Sequence, residues 1–207
     1  EPRNCGGRAA GVVLADGGIL DSDTVLVGIG ARPADDLARA AGLECDDGII
    51  TDDEGRTSDP HVFAIGDVAR RPVPGYAGLR RLESIPAATE HAKRAAAAIT
   101  GTRPGHSEVP WFWSDQFDLK LKIAGLGEPD DLVITRQHPN GDAVSFFHLG
   151  RDNTVKAVES VNAPADFMAG KKLISSCTPI DPDALADPST SLKDLLSTPA
   201  TRQTLVT

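Results

Sequence analysis

The sequence lacks the features that mark several common classes of protein. Its three cysteines, Cys5, Cys45 and Cys177, are far apart, which argues against a disulfide framework or a zinc site and favours a reducing, cytoplasmic setting. No apolar run approaches the roughly 18–20 residues that a membrane span needs, and no secretory leader is expected at the start of the chain. The five histidines do not cluster at metal-ligand spacing. Neither a metal site nor membrane association is therefore predicted.

Positive charge is scarce overall but concentrated in one region. The net charge of −9 argues against nucleic acid as a partner. Residues 61–125 nevertheless carry nine basic and six acidic side chains, whereas the segments on both sides are acidic. Two interpretations stay open: a solvated surface of helix and loop, or a patch that docks an acidic partner, since opposite fields raise the rate of encounter.

The first hundred residues carry the pattern of an α/β fold. The apolar run of residues 23–30 predicts a strand that is buried on both faces of a parallel sheet, and residues 61–65 predict a second, shorter strand. A short helix is expected over residues 34–41. Residues 70–84 contain several prolines and glycines and predict a loop, which an alanine-rich helix follows over residues 86–100.

The later residues change in character. Apolar and polar residues alternate in four segments, "LKLKIAG", "DLVITRQ", "AVSFFHL" and "TVKAVESV". This alternation predicts antiparallel strands of a second domain, which we expect to begin near residues 102–110. A helix is expected over residues 164–175 and a short one near Leu192. The predicted fold class is therefore α/β followed by α+β.

The end of the second predicted strand carries a candidate ligand residue. Gly66 and Asp67 follow that strand directly, and ligands of open α/β sheets bind beyond the carboxyl ends of the strands. Asp67 has two interpretations: a turn residue that bonds nearby backbone N–H groups, or a ligand residue whose approach Gly66 permits by lacking a side chain. The Gly28-Ile-Gly30 pair lacks the third glycine of a dinucleotide fingerprint, so none is predicted there.

Both tryptophans of the chain lie in one short segment, Trp111-Phe112-Trp113, beside Asp115-Gln116. One interpretation is a core cluster that anchors the second domain on the first. The other is a planar wall beside an aromatic cofactor, where the rings offer stacking.

Three segments together resemble one family. "TSDPHVFAIGDVA", "RRLESIPAATEHAKRAA" and "VPWFWSDQFDLKLKIAG" occur in the order and spacing of FAD-dependent NAD(P)H:ferredoxin reductases of the putidaredoxin, rhodocoxin and rubredoxin reductase type. These belong to the pyridine nucleotide-disulfide oxidoreductase superfamily, and the resemblance covers residues 11–175. It implies that electrons pass from NAD(P)H through FAD to a [2Fe-2S] ferredoxin, or to rubredoxin, that serves an oxygenase. His138-Pro139 is followed by Asn-Gly-Asp, which argues against the related disulfide reductases.

The resemblance divides the chain into three parts. Residues 1–32 resemble the end of an NAD(P)-binding domain, residues 33–104 the later part of a Rossmann-like FAD-binding domain, and residues 105–207 the reductase C-terminal α+β domain. Family members are roughly twice as long, and both of their glycine-rich fingerprints fall outside the matching part. We therefore expect the 207-residue chain by itself to be a fragment or an interaction domain that does not retain FAD, is inactive and self-associates through an unpaired sheet edge.

The resemblance also implies site residues but no catalytic residue within this chain. Asp67 would contact the ribityl or phosphate region of FAD, and Ile85 would offer its backbone N–H to the pyrimidine edge of the flavin. Glu83 falls on the nicotinamide side, and Trp113 flanks the ring. The implied cofactor contacts are Gly66, Asp67, Glu83, Ser84, Ile85 and Trp113. The implied docking residues for an acidic ferredoxin are Arg70, Arg71, Arg80 and Arg81.

Overall fold

The computed structural model describes residues 2–139 and 141–197, which divide into two units with the boundary between Arg32 and Pro33. The first unit contains one antiparallel sheet in the order β1-β2-β3. Its strands are β1 (Pro2–Cys5), β2 (Arg8–Val13) and β3 (Ile19–Leu20). The β2–β3 turn is stabilised by the Asp16 carboxylate, which accepts a hydrogen bond from the N–H of Gly18 at 2.8 Å.

The strand predicted over residues 23–30 is wrong. None of the residues described by the structure pairs with this segment, and the side chains of Leu26 and Ile29 are 95% and 90% exposed. A strand in a parallel sheet forms only beside a neighbour that takes up its backbone hydrogen bonds, and an apolar run does not by itself supply that neighbour. The segment therefore presents an apolar surface where the sequence suggested a core.

The second unit opens with α1 (Asp36–Ala40), as predicted, and a small sheet in the order β4-β5-β6. The strands are β4 (Ile49–Ile50), β5 (Ala69–Pro72) and β6 (Leu79–Arg81). β4 runs parallel to β5, and β5 runs antiparallel to β6. The loop predicted over residues 70–84 is therefore partly wrong, because Pro72 stands at the end of its strand, where it does not interrupt the pairing.

The strand predicted over residues 61–65 is also wrong. This segment forms only an isolated bridge between Arg56 and Phe63, and Ile65 remains 42% exposed. A single 3-10 turn, Gly66–Val68, follows it and leads directly into β5. The candidate aspartate therefore lies in a turn between a bridged loop and a strand.

The long helix α2 (Ile85–Thr100) confirms the prediction over residues 86–100. Ser84 caps its first turn, since the hydroxyl accepts a hydrogen bond from the N–H of Ala87 at 3.3 Å. Gly101 ends it with a left-handed backbone at φ 69°. The buried face of the helix consists of Ala87, His91, Arg94 and Ala95, which recur at helical spacing.

The later part of the chain forms the antiparallel sheet that the alternating segments predict. Its five strands lie in the order β7-β8-β11-β10-β9. They are β7 (Trp111–Gln116), β8 (Leu119–Gly125), β9 (Leu132–Gln137), β10 (Val144–Leu149) and β11 (Val155–Val161). Sequence reasoning missed β7 as a strand, although it contains the tryptophans.

One hydrophobic core lies between this sheet and the helices that follow it. The helices are α3 (Pro164–Ser176), α4 (Pro182–Ala186) and α5 (Leu192–Ser197). Phe147 and Val158 of the sheet pack with Leu173 of α3 and Leu185 of α4, and all four are almost completely buried. Among the described residues, no helix is both long and apolar enough to cross a membrane.

Candidate functional site

The Asp67 carboxylate is exposed and unbonded. It lies in the 3-10 turn, and it accepts no hydrogen bond from residues 2–139 or 141–197. The turn-capping interpretation therefore does not describe this side chain. A carboxylate that the protein leaves unused can accept hydrogen bonds from ligand hydroxyls.

Glycine suits the backbone conformation at residue 66, and the protein does not crowd the position of a side chain there, so ligand approach over Gly66 stays a prediction. Its φ is +73°, in the left-handed region, whereas an added Cβ would come only within 3.9 Å of the Ala88 Cβ. The same contact places the turn against the first turns of α2. Its N–H donates a hydrogen bond to Nδ1 of His91 at 3.1 Å.

Two further contacts hold the turn from its other side. Gly48 has φ +119°, and a Cβ there would lie 2.6 Å from the carbonyl oxygen of Val68, so the backbone of Gly48 is pressed against the turn. Nη1 of Arg81 donates to the carbonyl oxygen of Asp67 at 3.3 Å. The same Arg81 forms an ion pair with Glu83, which leads into α2. The turn and the start of α2 are thus connected through one guanidinium.

The first residue of α2 offers a free backbone donor. Ala87 donates its N–H to the hydroxyl of Ser84, Ala88 donates to the carbonyl of Ser84, and Pro86 has no N–H. The N–H of Ile85 is left without an acceptor among the described residues. A helix N-terminus carries about half a unit of positive charge, so this N–H is suited to an acceptor with negative charge.

The hydroxyl of Ser84 makes two hydrogen bonds within the chain. Besides capping the helix, its hydroxyl donates to the carbonyl oxygen of Trp111 at 3.3 Å. This bond ties the start of α2 to the first residue of β7. The hydroxyl therefore joins the start of α2 to β7, and a contact of Ser84 with a cofactor stays a prediction.

A groove of about 520 Å³ brings Ile85 and Trp113 together. Its wall also includes Trp111, whose ring centroid lies 5.6 Å from that of Trp113, because the two are alternate residues on one face of β7. Trp111 also packs edge-on against Phe167 of the core at 5.8 Å. Trp113 is 43% exposed. Trp111 thus contacts the core, whereas the role of Trp113 as a wall beside a cofactor stays a prediction.

The four predicted docking arginines are all paired with carboxylates of this chain. Arg71 is buried, with only 4% of its side chain exposed, and its Nη2 lies 2.9 Å from Oε2 of Glu90. The prediction that Arg71 docks a partner is therefore wrong, because sequence spacing did not reveal its burial. The remaining pairs are Arg70 with Asp46, Arg80 with Glu128, and Arg81 with Glu83.

His91 is a candidate site residue that sequence reasoning missed. It is only 2% exposed. Burial, reinforced by the positive charge of Arg71, lowers its pKa from 6.5 to about 4. The ring is therefore neutral near pH 7. Its place on the apolar stripe of α2, four residues after Ala87, was the signal in the sequence.

Comparison with protein families identifies the two parts of the chain. Residues 111–196 match the reductase C-terminal family, and residues 3–92 match the pyridine nucleotide-disulphide oxidoreductase family. Together the two matches support the resemblance to this superfamily that the three sequence segments carry. The predicted combination of α/β and α+β architecture is confirmed by these matches and by the fold.

Proteins with similar sequences include two reductases that are named after their ferredoxins. Rhodocoxin reductase of Rhodococcus erythropolis is 43% identical over 90% of this chain and 44% of its own length. Putidaredoxin reductase of Pseudomonas putida is 40% identical over 92% of this chain and 45% of its own length. The chain therefore spans about half the length of the curated relatives that it matches.

Two solved structures with similar sequences have the same fold over the matched part. The reductase in the covalent putidaredoxin reductase–putidaredoxin complex is 40% identical and superimposes with a TM-score of 0.85 over 91% of this chain and 45% of its own. A ferredoxin reductase from Rhodopseudomonas palustris is 39% identical, also with a TM-score of 0.85, over 94% of this chain and 48% of its own. The resemblance inferred from the three sequence segments is thus confirmed.

Proposed function

We propose that this chain forms part of a flavoprotein that passes electrons from NAD(P)H through FAD to a [2Fe-2S] ferredoxin, or to rubredoxin, that serves an oxygenase. The observation that carries the proposal is the groove that Ile85, with its free N–H, and the exposed ring of Trp113 both line. The names of the relatives, rhodocoxin reductase and putidaredoxin reductase, support the same activity. In the proposed division, residues 1–32 belong to the NAD(P) domain, residues 33–104 to the FAD domain and residues 105–207 to the C-terminal domain.

The residues of this chain fit an FAD molecule. The N–H of Ile85 and the positive end of α2 would hold an acceptor on the flavin ring, where they favour negative charge. Trp113 would limit one side of the ring and exclude water from it. The unbonded carboxylate of Asp67 would accept hydrogen bonds from hydroxyl groups of the ribityl chain. Bound FAD supplies the hydride acceptance and the single-electron transfer.

Glu83 is proposed to lie on the nicotinamide side of the site. Its carboxylate is exposed and forms an ion pair with Arg81. That pair fixes the carboxylate and also connects it to the backbone of Asp67. The proposal therefore predicts that a change at Arg81 disturbs both groups together.

An acidic partner is proposed to dock on the two partly exposed arginines, Arg70 and Arg80. Arg80 has 38% of its side chain exposed, and Arg70 has 27% exposed. We expect Arg80→Glu to slow reduction of the ferredoxin at low salt and to have little effect at high salt, because salt screens exposed charges. If the rates at low salt are unchanged, the docking proposal fails. Cytoplasmic location is proposed from the spacing of the cysteines, of which Cys45 and Cys177 are free.

The FAD proposal is tested with Asp67→Ala in a reductase that contains this chain. We expect flavin content to fall, and the measurement is the flavin absorbance per polypeptide after gel filtration. Asp130→Ala serves as a control, because the Asp130 carboxylate is 82% exposed and is not one of the predicted cofactor contacts. Flavin content that is the same in both variants would show that Asp67 does not contact FAD.

A second candidate function concerns the 207-residue chain by itself. It spans less than half of each of the two reductases compared above, and the apolar run with Leu26 and Ile29 is uncovered. We therefore propose that the isolated chain does not retain FAD and self-associates. Gel filtration with absorbance detection tests this, and a monomer with stoichiometric flavin that reduces a dye with NADH would refute it.

A further inference from the structure

His91 contacts the 3-10 turn Gly66–Val68, called the cofactor turn below, from the buried side. It lies on the buried face of α2, and its Nδ1 accepts the hydrogen bond from the N–H of Gly66 at 3.1 Å. The next residue is Asp67. The imidazole is thus one residue away from the carboxylate proposed to bind FAD, although the carboxylate faces the solvent and the imidazole is buried.

The bond to Gly66 determines how the ring is held. The other ring nitrogen, Nε2, is buried and has no hydrogen-bond partner among the described residues. Since Nδ1 accepts, Nε2 carries the proton in the neutral ring. A buried N–H without a partner is costly. Because Nε2 has no partner among the described residues, the hydrogen bond between Nδ1 and Gly66 is the polar contact that orients this imidazole.

The charges around His91 keep it in the accepting form. Arg71 of β5 and Arg94 of α2 are positive and oppose a further proton on the ring, while Glu90 of α2 favours one. Burial has the largest effect, and the balance lowers the pKa to about 4. A protonated imidazole donates from both nitrogens and cannot accept the N–H of Gly66.

We infer that His91 is a positioning residue for the cofactor site: its neutral Nδ1 fixes the amide of Gly66 and so holds the Asp67 carboxylate in the orientation that binds FAD. The inference rests on the proposed function, since it requires that Asp67 contacts FAD. The left-handed backbone of Gly66 strengthens the argument, because glycine is the residue type least restrained to one conformation. The turn therefore depends on outside contacts for its order.

The test compares two replacements of His91 in a reductase that contains this chain. Asn can place an acceptor oxygen at the position of Nδ1, whereas Leu fills similar space without an acceptor. We expect His91→Leu to weaken FAD binding about tenfold, the effect of one lost hydrogen bond, and His91→Asn to stay within about threefold of the parent protein. FAD dissociation constants are measured by fluorescence titration, and thermal melting of the flavin-free proteins checks that each variant folds. Equal affinities for the two variants would overturn the inference.

A double-variant cycle separates this inference from the proposed function. If His91 acts through Asp67, His91→Leu should weaken FAD binding much less in an Asp67→Ala background than in the parent. Unchanged affinity in Asp67→Ala alone would refute the FAD contact itself. If Asp67→Ala weakens FAD binding but the effects of the two substitutions on the binding free energy are fully additive, only the role of His91 is refuted.

The pH dependence of FAD retention gives a second measurement, which remains decisive if His91→Leu fails to fold. The parent protein should lose FAD as the pH falls toward 4, because protonated His91 releases Gly66. His91→Asn does not titrate and should lack this step. Identical acid profiles for the parent and His91→Asn would contradict the inference.

Discussion

The pair of Arg71 and Glu90 should be among the most costly contacts in this chain to break on one side. Nη2 of Arg71 lies 2.9 Å from the Glu90 carboxylate, and the two side chains are only 4% and 16% exposed. In Glu90→Leu, the guanidinium would keep a single long bond, 3.3 Å to the carbonyl of Asp53. Because a buried charge would then lack its counter-ion, we expect the free energy of unfolding to fall by about 3–5 kcal/mol.

Urea denaturation of the chain measures this loss, provided that the slope with denaturant is the same in each variant. The control is Glu128→Leu, which breaks the half-exposed pair with Arg80, at 2.5 Å, and should cost at most about 1 kcal/mol. The double variant Arg71→Met with Glu90→Leu should recover most of the loss, because it removes both charges. If Glu90→Leu costs no more than Glu128→Leu, burial does not govern the strength of these pairs and the reasoning is refuted.

Three other predictions concern the cofactor turn and the groove. Gly48→Ala should destabilise the chain by about 1–3 kcal/mol and lower flavin content in a reductase that contains it, since a Cβ would lie 2.6 Å from the Val68 carbonyl oxygen. Urea denaturation and flavin absorbance measure the two effects. Gly42→Ala is the control, because Gly42 also has a positive φ but no neighbour within 4 Å of the added Cβ. Trp113→Ala should slow ferredoxin reduction, measured by stopped flow, more than it lowers flavin content, measured by absorbance. Phe112 is equally exposed on the other face of β7, so Phe112→Ala should leave both the rate and the flavin content unchanged. Between pH 6.5 and about 4 the unfolded chain binds a proton at His91 that the folded chain does not bind. The free energy of unfolding should therefore decrease by up to about 3 kcal/mol as the pH is lowered through this range. If the parent and His91→Asn show the same dependence of unfolding free energy on pH, this prediction is contradicted.

The elements predicted correctly are those that local sequence determines. α2 is bounded by a serine cap and a left-handed glycine, both adjacent to the helix in sequence. The strands of the later sheet alternate in polarity because one face packs on the core. Residues 23–30 and 61–65 are as apolar as those strands, but a strand also needs a partner, and polarity alone cannot show whether one is present.

The candidate site was predictable only in part for the same reason. Asp67, Ile85 and Trp113 lie in recognisable segments, so the sequence resemblance predicts them as site residues. The hydrogen bond between Gly66 and His91 joins residues 25 positions apart, and no local pattern reveals it. What the sequence does show is that His91 falls on the buried stripe of α2, where a polar residue needs a partner.

The ion pairs of Arg70 and Arg80 change how the predicted docking of an acidic partner should work. Arg70 and Arg80 pair with Asp46 and Glu128, which lie 24 and 48 residues away, so the excess of positive charge in the sequence is largely neutralised in the fold. A carboxylate of a docking partner would have to displace Glu128 from Arg80, and the exchange replaces one ion pair with a similar one. The new ion pair therefore adds little to the affinity of the complex, because the pair that it replaces is lost. Charge at this surface should therefore affect the rate of encounter more than the strength of the complex.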